Sequence, residues 1–275
     1  MNDRVWLNGQ ITPASEARID PSDRGFLLGD GAFETMRVEA CGVRRFARHR
    51  NRIAAALDEL DIAAPDWDQI EAAIVHLAAE AGLTAAIARL TVSRGPMGRG
   101  LDAPGGLAGV VLATVDALRE PPSQLKLVSL DAPRREPTSQ SARFKPIGYG
   151  DSLQARRRAR AAGADMAVML SSSGDLACAD AANLYWVSKG RVFTPSLNTG
   201  ALRGVTRAAV LDAANAAGLV VEEGRFGPDK LAACEAAAVS NAAIGVRPAA
   251  MIDGRELDRD HALISALVDL EREVV

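Results

Sequence analysis

The sequence predicts an α/β protein built as two domains, a smaller N-terminal one and a larger C-terminal one. Three observations carry that reading. A chain of 275 residues has room for one large domain or two modest ones. Short β-prone runs alternate with stretches of helical period along its length. Arg119-Glu-Pro-Pro-Ser123 stops any regular element near the middle, because two adjacent prolines remove backbone donors and charge flanks them. The expected layout is residues 1–118, a linker at 119–123, and residues 124–275.

In the first half, Val5-Trp-Leu7 reads as a short strand, Asn8-Gly9 as its turn, and the residues around Ile11 as the return strand. A loop with glycines at 25, 29 and 31 follows, and residues 35–43 alternate as a strand and turn. Residues 48–60 are helical in period, with Ile53, Leu57 and Leu60 on one face. Asp66 or Asp68 starts a second helix whose stripe is Ile70, Ile74 and Leu77. Residues 88–92 and 109–114 are strand-like, joined through the glycine-rich loop at 94–100.

The second half opens with a strand at 125–130 and a polar segment that leads to Lys145. An Ala/Arg-rich helix is expected at 151–162, a buried strand at 166–170 and a turn at 171–174. Residues 184–187 and 192–193 pair across Lys189-Gly190. A helix at 206–217 is closed by Gly218, and an amphipathic helix at 260–271 ends the pattern.

Composition narrows the function classes. Hydrophobic content of 48% with 24% charged residues is that of an ordinary globular chain. A formal net charge of −3 gives no reason to expect nucleic acid or an anionic membrane as partner. The first residues carry no apolar run of signal-peptide length, and no stretch approaches the roughly 20 apolar residues that span a bilayer. The expected compartment is the cytoplasm. Cysteines at 41, 178 and 234 and histidines at 49, 76 and 261 are scattered, so neither a disulfide framework nor a metal site is expected.

Lysine usage is the sharpest local signal. Only four of the 32 basic side chains are lysine, at 126, 145, 189 and 230. An amine that can lose its proton and form a Schiff base is one thing arginine does not supply. Lys145 stands in Arg143-Phe-Lys-Pro-Ile-Gly-Tyr149, at a strand end or loop where a lysine can equally face solvent. Gly204-Val-Thr206 opens a helix with free N–H groups, which reads either as a phosphate cradle or as a plain helix entry. Arg52 lies one turn after His49 on an early helix and could equally be solvated.

Together and in this order, the segments resemble the fold-type IV pyridoxal-phosphate enzymes, the class IV aminotransferase family. That family includes branched-chain and D-amino-acid aminotransferases and 4-amino-4-deoxychorismate lyase. The matching stretches are Asp23-Arg-Gly-Phe-Leu-Leu-Gly-Asp-Gly-Ala-Phe-Glu-Thr35, His49-Arg-Asn-Arg52, Lys145 with Tyr149, Leu202-Arg-Gly-Val-Thr-Arg207 and Ser240-Asn-Ala-Ala243. They run over nearly the full length. Two further stretches resemble the lyase: Ser93-Arg-Gly-Pro-Met-Gly-Arg-Gly100 and Cys178-Ala-Asp-Ala-Ala-Asn-Leu-Tyr-Trp186.

The resemblance implies the fold-type IV two-domain architecture, with pyridoxal 5'-phosphate (PLP) between the domains. It implies that Lys145 holds the cofactor as a Schiff base and, once freed, serves as general base. Gly204, Val205 and Thr206 would hold the phosphate with the fork of Arg52, and Asn241 and Ala242 would lie beside it. Leu202 would pack on the ring face, and Tyr149 would reach the ring hydroxyl. Arg94 and Arg99 are candidates for substrate carboxylate contacts. A homodimer and a small-molecule amino substrate are implied as well.

One position departs from the family pattern. Five residues before Asn183, where the family has a glutamate that pairs with the pyridine nitrogen, this chain has Cys178. A thiol with a free pKa of about 8.5 is a poor substitute for that carboxylate. Three readings stay open: Asp180 replaces the carboxylate from two residues on, the ring is bound unprotonated, or catalysis is lost and the pocket binds something else. The expected function is 4-amino-4-deoxychorismate lyase, with a branched-chain or D-amino-acid aminotransferase and a non-catalytic ligand-binding homologue as alternatives.

Overall fold

In the computed structural model, which describes residues 3–40 and 42–274, the chain forms two units. One is Met1–Arg119 with Phe144–Gly148; the other is Glu120–Arg143 with Tyr149–Val275. Cys41 lies outside the described residues.

The first unit is a sheet with helices on one face. Its strands are β1 (Arg4–Leu7), β2 (Gln10–Pro13), β3 (Gly31–Glu39), β4 (Gly42–Val43), β5 (Ile62–Ala63), β6 (Ala85–Ser93), β7 (Leu107–Ala108) and β8 (Val110–Ala117). The sheet runs in the order β2-β1-β8-β6-β3-β4 with antiparallel neighbours, and β5 pairs with β7 apart from it. Along β6 the side chains of Ala86, Ala88, Leu90 and Val92 are buried while Arg89 between them is exposed. That alternation is the signature of a one-faced antiparallel sheet. Short helix α1 (Arg24–Leu28) precedes β3, α2 spans Phe46–Glu59, and α3 spans Trp67–Glu80. Ile53 and Leu57 of α2 and Ile70, Ile74 and Leu77 of α3 fill the core against Met36 and Leu90. Asp66 caps α3 by accepting from the N–H groups of Asp68 and Gln69 at 3.1 Å, which fixes the start of that helix.

The segment 144–148 returns to this first unit although it follows the expected linker by more than twenty residues. The Phe33 N–H donates to the Lys145 carbonyl at 2.9 Å, and the Ile147 N–H donates to the Gly31 carbonyl at 3.0 Å. Phe144 is buried in the same core as Met36 and Phe46. Lys145 therefore belongs by packing to the first unit, and not to the 124–275 segment in which the sequence reading put it.

The second unit is built on a larger mixed sheet. Its strands are β9 (Leu125–Arg135), β10 (Met166–Ser171), β11 (Leu176–Ala179), β12 (Asn183–Ser188), β13 (Arg191–Pro195), β14 (Val221–Gly224), β15 (Ala236–Asn241), β16 (Gly245–Ile252) and β17 (Arg255–Glu256). The order is β11-β10-β9-β16-β15-β12-β13-β14, with β17 paired to β16. Helices α4 (Gln140–Arg143), α5 (Gly150–Ala161), α6 (Val205–Ala216), α7 (Asp229–Ala232) and α8 (Ala262–Glu273) complete it. β12 and β15 are central and buried on both faces, so they read as continuous apolar runs. Tyr185, Val187, Ala236 and Ala238 face α6 and α8, while Leu184, Trp186, Ala237 and Val239 face a core that includes Phe193 and Phe226. Ala236-Ala-Ala of β15 has weak intrinsic strand preference; its pairing on both edges decides its state.

Candidate active site

In the first unit, strand β3 presents two adjacent residues, Phe33 and Glu34, to opposite faces. Lys145 Nζ lies 3.9 Å from the centre of the Phe33 ring, within cation–π range, and the Phe33 N–H holds its carbonyl while the Ile147 N–H, two residues on, holds Gly31. Gly31 is required for this approach: a Cβ there would meet the Val92 carbonyl at 2.3 Å and Ile147 Cδ1 at 2.7 Å. Glu34 is buried to 1% exposure and accepts from Arg52 Nε and Nη2, both at 2.6 Å, while His49 Nδ1 lies 2.7 Å from Oε2. Burial alone would raise the Glu34 pKa; the charge of Arg52, with hydrogen bonds from His49 and Arg52, outweighs it and holds the group at about 2. The sequence reading left Glu34 outside the site. The one available signal was the three-residue spacing of His49 and Arg52, which puts both on one face of α2.

Asp30 anchors a second charged cluster in this unit. It receives Arg24 Nε at 2.8 Å and Arg94 Nε at 2.8 Å. Arg94 also donates to the carbonyls of Leu60 and Asp61, and Arg24 donates to those of Gly100 and Leu101. Arg94 is thus a strut that ties the glycine-rich loop to the segment between α2 and β5. Arg99 is exposed on the same loop.

In the second unit, Gly204 caps α6 without a side chain. A Cβ there would meet Asn183 Oδ1 at 2.0 Å, so the helix start approaches β12 as closely as only glycine allows. Asn183 Nδ2 donates to the Leu202 carbonyl at 2.9 Å, and Asn183 pairs across the sheet with Ser240. Asn241 donates to the Ala181 carbonyl at 3.0 Å and accepts from the N–H groups of Ala243 and Ile244, which shapes the turn that carries Ala242. The structure therefore gathers Leu202, Gly204, Val205, Thr206, Asn241 and Ala242 at one end of β12 and β15. Thr206 Oγ1 is buried and has no hydrogen-bond partner among the described residues. Tyr149 stands at the N-terminal cap of α5 and is partly buried.

Cys178 lies in β11 opposite Met169, 6% exposed, and burial pushes its thiol pKa up. A protonated buried thiol is a small apolar filler, not a nucleophile. Asp180 is committed elsewhere: Arg156 donates to its two oxygens at 2.7 and 2.6 Å, and the Ala167 N–H donates at 3.0 Å. Those contacts tie Asp180 to α5 and β10.

The family model for amino-transferase class IV matches residues 31–252, a span that holds all of these groups except Arg24 and Asp30. The chain belongs to the class IV aminotransferases. Family members are PLP enzymes that include lyases and aminotransferases, and this chain is a PLP-dependent enzyme of that family. It is 29% identical to the aminodeoxychorismate lyase of Bacillus subtilis (strain 168), over 90% of this chain and 86% of the relative. It is 26% identical to the branched-chain-amino-acid aminotransferase of Pseudomonas aeruginosa, over 92% of this chain and 86% of the relative. The fold matches the branched-chain aminotransferase of the thermophilic archaeon Thermoproteus uzoniensis, solved with norvaline. The TM-score is 0.90 at 24% identity, covering 98% of this chain and 93% of that one.

The residues present fit the cofactor's phosphate. Free N–H groups at the start of α6 and the orphaned Thr206 hydroxyl are the donors an anion requires. The buried Cys178 thiol itself supplies no carboxylate.

Proposed function

We propose that the protein is a lyase that converts 4-amino-4-deoxychorismate to 4-aminobenzoate and pyruvate. The observation that carries the choice over an aminotransferase is the pairing of a neutral Cys178 with an Asp180 already held by Arg156. When bound, PLP supplies the electron sink for the substrate carbon that bears the amine. A sink without a carboxylate partner is weaker, and a reaction driven by aromatisation demands less of it. The identity to a named lyase and the loop Ser93–Gly100 support the same reading.

In this proposal Lys145 is the covalent attachment point. Its Nζ removes the proton from the amine-bearing carbon of the substrate. The adjacent carbon–oxygen bond breaks, the ring becomes aromatic, and the departing enolpyruvate takes up a proton to become pyruvate. Gly204, Val205 and Thr206, with Asn241 and Ala242, hold the phosphate, joined by Arg52 in the orientation that Glu34 sets. Leu202 packs on the ring, Tyr149 meets the ring hydroxyl, and Arg99 contacts a substrate carboxylate. A cytoplasmic homodimer that serves folate precursor synthesis is part of the same proposal.

The test is direct. Purified protein loaded with PLP is given 4-amino-4-deoxychorismate, and 4-aminobenzoate and pyruvate are quantified. Equal amounts of both, with no 2-oxo acid consumed, are expected. Conversion of the cofactor to its amino form by a branched-chain or D-amino acid alone, without 4-aminobenzoate from the other substrate, would mark an aminotransferase and overturn the proposal.

A further inference from the structure

The β12–β13 hairpin of the second unit covers a half-open cavity of about 440 Å³ that the proposed chemistry does not use. Its wall is aromatic. Trp186 stacks on Phe193 with ring centres 5.8 Å apart, and Phe226 meets both edge-on at 5.0 and 5.5 Å. Its charged lining is cationic: Lys189, Arg191 and Lys230. Two of the chain's four lysines are therefore here.

The carboxylates nearby do not neutralise this rim from within. Glu222 pairs with Arg191 at 2.8 Å and Asp229 with Lys230 at 3.3 Å, but neither acid lines the cavity. Both pairs are largely exposed, and such pairs hold their partners weakly. Glu235 accepts from the Lys189 backbone N–H, and Lys189 Nζ has no ion-pair partner among the described residues. Lys189 also sits at φ 51° in the two-residue turn with Gly190, a conformation more natural to asparagine or glycine.

The cavity is separate from the α6 start. Trp186 points with Leu184 and Val239 to one face of the sheet, while α6 packs with Tyr185 and Ala238 on the other. Ser188, at the cavity end of β12, lies five residues along the strand from Asn183. At strand rise that is about 17 Å.

We propose that this cavity is a second binding site, for a small carboxylate carried on an aromatic ring. The ring would lie against Phe193 and Phe226, whose rings pack on the buried Trp186, and the carboxylate would face Lys189 and Lys230. An apolar pocket of this size with convergent charge of one sign is the usual form of a small-molecule site.

The test is calorimetric titration of benzoate into PLP-loaded protein, with acetate as the ringless comparison. The variant is Lys189→Glu with Lys230→Glu, two exposed positions whose reversal spares the core. Saturable benzoate binding is expected, weakened at least about tenfold by the double reversal and by loss of the ring, a difference of one decade in Kd. Absence of saturable binding, or equal affinity in the charge-reversed protein, would each overturn the proposal.

Discussion

Arg52 lies edge to edge with Glu34, its Nε on Oε1 and its Nη2 on Oε2, both at 2.6 Å. Two parallel bonds fix the plane of the guanidinium as a single bond does not. His49 closes the other side of the carboxylate, so a helix residue and its neighbour one turn back are locked to one strand position. The pair is nearly dry, with Glu34 at 1% and Arg52 at 11% side-chain exposure.

Glu34→Gln should therefore destabilise the protein near neutral pH by about 3–5 kcal/mol, the usual cost of removing one member of a buried ion pair. The pH dependence carries the sign. The folded pKa of about 2 lies below the ordinary 4.5, so this stabilisation is full above 4.5 and is lost as pH falls toward 2. Denaturant unfolding at a series of pH values should show a flatter acid limb in the variant. Equal slopes in the two proteins would contradict the assignment.

Thr206→Val should act in opposite directions on stability and on cofactor binding. The hydroxyl is buried without a partner among the described residues, so its removal should leave the cofactor-free protein as stable or about 1 kcal/mol more stable. Affinity for PLP should fall by about tenfold, as expected for one lost hydrogen bond to a charged group. Thermal unfolding and fluorescence titration check the two arms separately.

Arg94 and Arg99 share a loop but should separate cleanly. Arg94→Gln breaks the half-buried link to Asp30 and two carbonyl contacts, and should cost about 1–3 kcal/mol in unfolding experiments. Arg99→Gln, at an exposed position, should leave stability within about 0.5 kcal/mol. Steady-state kinetics of the Arg99 variant should show a raised KM with kcat little changed.

Cys178→Ala should cost only about 1 kcal/mol, the loss of a small buried group, and should leave PLP affinity within about threefold. Asp180→Asn should destabilise the protein by about 3 kcal/mol through Arg156 while leaving the cofactor spectrum unchanged. A large spectral change in the Asp180 variant would return that residue to the cofactor.

Local signals made much of the fold legible. The period at 48–60 corresponds to Phe46–Glu59, and Lys189-Gly190 does turn β12 into β13. What escaped was non-local. Lys145 joins the first unit through the Phe33 N–H on its carbonyl and Ile147 through the Gly31 carbonyl, more than a hundred residues away, and no local pattern reports such pairing. Glu34 looks like any strand carboxylate until α2 brings His49 and Arg52 onto it. Asp180 shares strand parity with Cys178, but the arginine that claims it comes from α5. Family resemblance supplied the candidate roles that spacing alone left open.

Lys145 carries the central claim. The visible absorption spectrum of the dialysed protein, recorded before and after addition of PLP and repeated with Lys145→Ala, tests it in one measurement. The wild-type protein should develop the band of lysine-bound cofactor and the variant should not. The same band in both proteins, or in neither at saturating PLP, would contradict the assignment of Lys145 and the function built on it.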